Sequence, residues 1–212
     1  MAATSPVVPL ELPQIPAPIK EFIPYFSQHT ELSNHDLVEP FKVYENELRK
    51  IYAQQPQHEA VADGLTNLVP VFAGHESQLK IRARDLASET AEDKDKFIMP
   101  LKQKERKANG SQAVVSSFKN FQSNFNLFSE SSLSDLNWDN VVAAGSAVTT
   151  ALLPVPEKWA DSKRSLREYY HEHLAPASDV DLFLYGLTAE QAIEKIKEIE
   201  TRIKDSILHE TT

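Results

Sequence analysis

Two runs govern the interpretation of this chain: Val141-Val142-Ala143-Ala144-Gly145-Ser146-Ala147-Val148-Thr149-Thr150-Ala151-Leu152-Leu153 and Ser178-Asp179-Val180-Asp181-Leu182-Phe183-Leu184-Tyr185-Gly186. The first reads as a strand, a small-residue turn and a helix. The second reads as a strand that carries two acids, and Pro154–Ala177 between them is an insert. Side chains alternate along a strand, so Asp179, Asp181, Phe183 and Tyr185 are expected on one face, with Val180, Leu182 and Leu184 on the other. Two residues along a strand span roughly 6.5–7 Å, which lets two carboxylates grip one hard cation.

The acids come before the apolar run, so they sit where the strand begins. That order argues against Walker B and haloacid-dehalogenase-type sites, in which the acid closes the strand. Gly145-Ser146 fits an anion-binding turn. Glycine admits a ligand close to the backbone, the amides opening a helix attract phosphate, and a serine hydroxyl caps the helix or binds a phosphate oxygen. A Gly-Ser pair and an Asp-x-Asp are each weak signals alone; their order and flanks make them moderately specific together.

The pattern apolar-Gly-Ser, helix, Asp-apolar-Asp-apolar resembles the core of the polymerase-beta-like nucleotidyltransferases. More closely, Asn137–Ser146 and Ala177–Leu187 resemble the N-terminal region of fungal proteins that couple a nucleotidyltransferase-like domain to ankyrin repeats. The resemblance runs from about Phe41 to the C-terminus and is sharpest after Asn137. It implies that Gly145 and Ser146 contact a nucleoside triphosphate, and that Asp179 and Asp181 are catalytic ligands of Mg²⁺. It also implies a protein partner engaged through downstream repeats. The chain departs from the pattern in two places. Ser146 and Asp179 are 33 positions apart (179 − 146), where compact members run almost directly from helix to acids. A third carboxylate on a later strand is absent: Glu190, Glu194, Glu198, Glu200, Asp205 and Glu210 all fall on what reads as one helix.

Composition bounds the remainder. The 212 residues suit one or two domains, and 41% hydrophobic residues can build a core. The lack of cysteine excludes disulfides and thiolate metal sites. No apolar run reaches membrane-spanning length and no signal-peptide order opens the chain, so an intracellular protein, cytoplasmic or nuclear, is expected. A net charge of −9 disfavours broad nucleic-acid binding. Lys80–Lys107 nevertheless holds nine Lys or Arg against six acids. Its cluster Lys102–Lys107 would steer a polyphosphate or, more commonly, form a solvated face.

Taken in order, Met1–Pro24 holds six of the thirteen prolines and reads as an extended or disordered tail, with a docking peptide as the rarer meaning. Leu37, Phe41, Tyr44, Leu48, Ile51 and Tyr52 recur at helical steps, and Gln55-Pro56 ends that helix. His58–Phe72 is expected to hold a second short helix with Val61, Leu65, Leu68 and Val69 inward. Ala113–Phe128 reads as a helix whose stripe of Val114, Phe118, Phe121, Phe125 and Phe128 is usually a core seam and less often the wall of a base pocket. Ser162–Leu174 reads as a short helix leading to the acids, on which His171 and His173 diverge by about 200° and so cannot share a metal. Its Lys163, Arg164 and Arg167 would reach a triphosphate only if the insert folds over the site; solvated surface is the commoner fate. Thr188-Ala189-Glu190-Gln191 is a capping box, and Ile193, Ile196, Ile199, Ile203 and Ile207 line one face of the helix it opens.

The expected architecture is α+β: a tail over 1–35, a helical N-terminal layer over 36–136, and over 137–212 an incomplete nucleotidyltransferase-like mixed sheet with flanking helices. Two strands seldom make a stable sheet, so a continuation of the chain or a partner is expected to complete it. The functional expectation is Mg²⁺-dependent nucleotidyl transfer from a nucleoside triphosphate. The alternative is an inactive nucleotide- or protein-binding module, and a structural role for both acids is the third possibility.

Overall fold

A computed structural model describes residues 11–85, 87–96, 106–176 and 179–210. The chain forms two compact units, Met1–Leu79 and Lys80–Thr212.

In the first unit, a 3₁₀ turn at Ile19–Glu21 leads into α1 (Phe22–Gln28), followed by α2 (Asn34–Gln54). Ser33 caps α2: its Oγ accepts from the Asp36 amide at 3.1 Å and donates to the Asp36 carboxylate at 2.7 Å. Leu37, Phe41, Leu48 and Ile51 are buried as their spacing requires, whereas Tyr52 is exposed. The ring of Phe22 meets Phe41 edge-on at 4.8 Å, so α1 covers the apolar face of α2.

Two expectations are corrected in this unit. The proline-rich tail gives way to helix at Ile19, because Pro24 is the third residue of α1, where its missing amide hydrogen would have no intrahelical partner. Met1–Leu10 lies outside the described residues. The second helix over His58–Phe72 shrinks to one 3₁₀ turn, Glu59–Val61. Beyond it Asp63 Oδ1 accepts from the Leu65 amide at 2.9 Å and Asn67 has a φ of 65°, so local turns displace the helix. Leu65 and Leu68 are consequently exposed, not inward.

The second unit contains α3 (Ala91–Lys96), α4 (Phe118–Phe128), β1 (Val141–Ala144), α5 (Ser146–Leu152), α6 (Lys163–Glu168), β2 (Asp181–Leu184) and α7 (Ala189–Glu210). α4 begins later than the apolar spacing suggested. Ser117 is its cap, accepting from the Asn120 amide at 3.2 Å, and Val114 lies outside the helix. The strands pair antiparallel from Val141↔Leu184 to Ala144↔Asp181, the only strand pair among the described residues. Helices and a small sheet thus give an α+β chain.

The core joins Phe125 and Phe128 of α4, Val141 of β1, Ala147 and Ala151 of α5, and Tyr170, with Leu182 and Leu184 packed against it. Asn124 ties α4 to α5 by donating to the Ala151 carbonyl at 3.1 Å. One sheet face therefore looks inward. The other shows Val142, Phe183 and Tyr185 about half exposed.

After α6 the backbone widens into a π turn over Tyr169–Leu174, closed by the Ala175 amide donating to the Tyr170 carbonyl at 3.0 Å. Tyr170 is wholly buried there, its hydroxyl unpartnered, and burial raises its pKa well above the ordinary tyrosine range. Tyr169 is raised by the same cause.

The capping box on α7 forms as read: Thr188 donates its amide to Gln191 Oε1 at 2.9 Å, and Gln191 donates its amide to Thr188 Oγ1 at 3.3 Å. Glu190 beside it is held below the ordinary glutamate range, first by a backbone hydrogen bond and then by the Thr188 hydroxyl. The isoleucine stripe needs correction. Ile199 and Ile203 pack on the core, but Ile193, Ile196 and Ile207 are more than half exposed. Lys195, 9% exposed, turns inward in their place, with Nζ donating to the Asn137 carbonyl and to Glu198, each at 3.1 Å. Among the described residues no helix is long and apolar enough to cross a membrane.

Candidate functional site

The β1–α5 turn and the start of β2 come together as a consequence of register. Antiparallel pairing that ends at Ala144↔Asp181 places the next residue of the first strand, Gly145, beside the Asp181 side chain. The approach is close: a Cβ on Gly145 would lie 2.7 Å from Asp181 Oδ2, so the carboxylate would have to turn aside. Gly145 also has φ 80° and ψ −155°, a conformation essentially restricted to glycine. The backbone angle thus selects glycine, and the carboxylate adds a contact that any Cβ would displace.

Ser146 is the first residue of α5 and exposed, and no hydrogen bond engages its hydroxyl among the described residues. The first amide to bond back along the helix is that of Thr149, to the Gly145 carbonyl at 3.3 Å, so the amides of residues 146–148 precede the ladder. Asp181 is exposed and likewise unengaged. It shares the outer face with Val142 and Phe183, as alternation required. Asp179 is exposed and precedes the strand by two residues, so the alternation that governs Asp181 does not extend to it. Structure thus brings Gly145, Ser146 and Asp181 together at one end of the sheet and leaves Asp179 on the approach to it. Ala177 and Ser178 of the same motif lie outside the described residues.

The inner face carries an aromatic cleft of about 470 Å³. Phe118, Phe121, Phe125 and Trp138 form its wall, and Ala143 and Val148, flanking the Gly145 turn, form its floor. The α4 stripe therefore divides: Phe125 and Phe128 are core, while Phe118 is half exposed and stacks on Phe121 at 5.9 Å. Gln122 and Asn126 add amides to the lining. Cleft and carboxylate lie on opposite faces of the sheet and share the end of β1.

The remaining acids occupy the places their sequence assigned. Glu190, Glu194, Glu198, Glu200, Asp205 and Glu210 are all on α7, and Glu194, Glu198 and Glu200 pair with Lys197, Lys195 and Lys204. The two histidines of the insert diverge as expected. His171 stacks on Phe128 at 6.1 Å and approaches Glu130 at 3.5 Å, whereas His173 lies against Trp159 at 4.7 Å. One group was not foreseen: Glu168, Glu172 and His173 have ligand atoms within 4.8 Å of one another. Lys102–Glu105 of the basic cluster lie outside the described residues.

Compared with known proteins, the chain matches no family model, no curated protein and no solved structure.

Proposed function

We propose that the Gly145 turn and Asp181 form a Mg²⁺-dependent nucleoside triphosphate site on a nucleotidyltransferase-like core. One observation carries it: an exposed carboxylate with no hydrogen bond among the described residues lies beside a glycine turn that opens a helix, where the amides of Ser146 and Val148 precede the hydrogen-bond ladder and Ala147 is buried. An anion seated on those amides would face Asp181, and two anions at such a distance repel. A divalent cation between them turns repulsion into a bridge, which is how carboxylates and phosphates share Mg²⁺. Asp179, two residues upstream and exposed, is the second ligand in this scheme, reaching the ion by a movement of the segment before β2.

The amides of Ser146 and Val148 and the Ser146 hydroxyl would then hold the triphosphate tail. An acceptor oxygen would bond to the α-phosphorus as the bond from that phosphorus to the α–β bridging oxygen breaks; the hydroxyl proton would pass to solvent, pyrophosphate would leave, and a Mg²⁺ held by Asp181 would supply charge neutralisation. The base would pass over the end of β1 into the aromatic cleft, where stacking on Phe118 or Phe121 contributes about 1–3 kcal/mol.

The second reading is a module of the same fold that binds nucleotide or protein without catalysis. It is favoured by the placement of every later acid on α7, three of them neutralised by lysine, and by the half-exposed apolar face of Val142, Phe183 and Tyr185. Isothermal titration of ATP with and without Mg²⁺, on the wild-type chain and on Asp179→Asn/Asp181→Asn, tests the proposal. Binding that needs Mg²⁺ and disappears in the double variant supports the metal site. Binding indifferent to metal and to the substitutions supports the second reading, and no binding at all leaves the acids a structural role. Pyrophosphate release then distinguishes a catalytic metal site from a silent one.

A further inference from the structure

Outside the sheet, the π turn assembles a set of side chains that an ordinary helix would scatter. Glu168 closes α6, and Glu172 and His173 lie in the π turn that follows it. In an α-helix, which turns about 100° per residue, residues five apart are separated by about 140°, so Glu168 and His173 would point away from each other. The π turn closes i→i+5 hydrogen bonds and is wider, so the residues four and five after Glu168 return to either side of it. Their ligand atoms all lie within 4.8 Å of one another. The side chains are exposed, so both carboxylates have room to close on an ion.

Two further observations bear on this site. The ring of His173 rests on Trp159 with centroids 4.7 Å apart, which places a fluorophore beside the proposed ligand. The neighbouring His171 stacks on Phe128 and lies 3.5 Å from Glu130, a different set of neighbours from those of His173, so one histidine accompanies the carboxylate pair. Wholly buried Tyr170 anchors the turn from beneath.

We infer that Glu168, Glu172 and His173 form a binding site for a divalent first-row transition cation of the Zn²⁺ or Co²⁺ kind. The donor set is one imidazole nitrogen and two carboxylate oxygens without thiolate, which suits Zn²⁺ and its borderline neighbours better than Mg²⁺, an ion that takes oxygen ligands in strict octahedra. Three protein ligands leave at least one coordination position for water or an anion. Binding would tie the end of α6 to the π turn and stiffen the insert that leads to β2. The site shares no residue with the Gly145–Asp181 turn and stands whether or not that turn binds nucleotide.

Trp159 supplies the readout. In a Trp138→Phe background Trp159 is the sole tryptophan of the chain. Co²⁺ is titrated against its fluorescence, with Zn²⁺ titrated calorimetrically on the unaltered chain. The expected result is one saturable site per chain that quenches Trp159, with affinity for both ions reduced at least tenfold by His173→Gln and by Glu168→Gln/Glu172→Gln. Removing a ligand should cost no less than the roughly tenfold that loss of an outer-shell partner costs. All three side chains are exposed, so these variants should keep the wild-type circular dichroism. His35→Gln is the control, because His35 sits 3.9 Å from Glu39 on an ordinary α-helix and should leave the titration unchanged. Quenching that does not saturate, or that is equal in His173→Gln and the wild type, overturns the site.

Discussion

Replacing Gly145 by alanine should cost about 2–4 kcal/mol of stability, and the cost separates into two parts that a double-mutant cycle can measure. The first part is backbone strain. At φ 80° and ψ −155° an alanine occupies a region that costs of order 1–3 kcal/mol for any residue with a Cβ. The second is the collision of that Cβ with Asp181 Oδ2, 2.7 Å away. Because Oδ2 ends an exposed, rotatable side chain, Asp181 can turn aside, and about 1 kcal/mol is the expected share of the collision. Asp181→Ala alone, at an exposed position with no hydrogen bond, should change stability by no more than about 0.5 kcal/mol. In Gly145→Ala/Asp181→Ala the collision vanishes and the strain remains, so the double variant should be more stable than Gly145→Ala by about 1 kcal/mol, a non-additivity typical of residues in contact. Urea unfolding followed by tryptophan fluorescence is the assay, since Trp138 and Trp159 both lie within Lys80–Thr212 and report on that unit alone. Strict additivity would refute the contact between turn and carboxylate. A cost below about 0.5 kcal/mol for Gly145→Ala would refute the backbone conformation itself.

Two further outcomes follow from the packing around this unit. Tyr170→Phe removes a buried hydroxyl that has no partner, so it should leave stability unchanged or raise it by about 1 kcal/mol at pH 7 in urea unfolding. The same variant reports on alkaline pH. Burial raises the Tyr170 pKa above its ordinary 10.0, so the unfolded chain loses this proton first; the stabilisation is complete below pH 10 and is lost as pH rises from there toward the folded value. The wild type should accordingly lose up to about 1.4 kcal/mol per pH unit above pH 10 on account of this group, and Tyr170→Phe should show a shallower decline. Thr188→Ala breaks the reciprocal capping box at the start of α7 and should cost about 1 kcal/mol, measured in the same way, whereas Thr188→Ser should restore most of it.

Elements written in local chemistry could be read from the sequence. α2 announces itself through repeated apolar steps closed by Gln55-Pro56, and α7 through the Thr188 capping box, and both form where those signals lie. What failed was settled by tertiary or backbone effects that no periodicity carries. The apolar residues Val61, Leu65, Leu68 and Val69 suggested a helix, but Gly64, an Asx turn at Asp63 and a positive φ at Asn67 broke it after one 3₁₀ turn. On α7 the isoleucines suggested an inward stripe. Lys195 is buried instead and donates to the Asn137 carbonyl 58 residues away in sequence, while Ile193 and Ile196 face out. A long-range hydrogen bond to a backbone atom leaves no trace in hydrophobic spacing.

The site shows the same boundary more sharply. Alternation correctly put Asp181 on a face with Phe183, because both lie on β2. It carried no information about Asp179, because alternation holds only where the chain is laid down as a strand, and β2 begins at Asp181. Register decided the rest. Nothing in Val141–Ala144 or Asp181–Leu184 dictates that Ala144 should pair with Asp181, yet a slip of one residue would move every side chain of β2 to the other face. Such a slip would bury Asp181 against Ala147 and Ala151 and expose Leu182 and Leu184, an exchange that costs far more than the sheet could return. Burial therefore excludes a one-residue slip, the observed register puts the carboxylate beside residue 145, and the backbone conformation there calls for a glycine. Gly145 and Asp181, which looked like two separate weak signals, are neighbours by register, and the nucleotide proposal rests on that register leaving an exposed carboxylate beside the exposed Ser146.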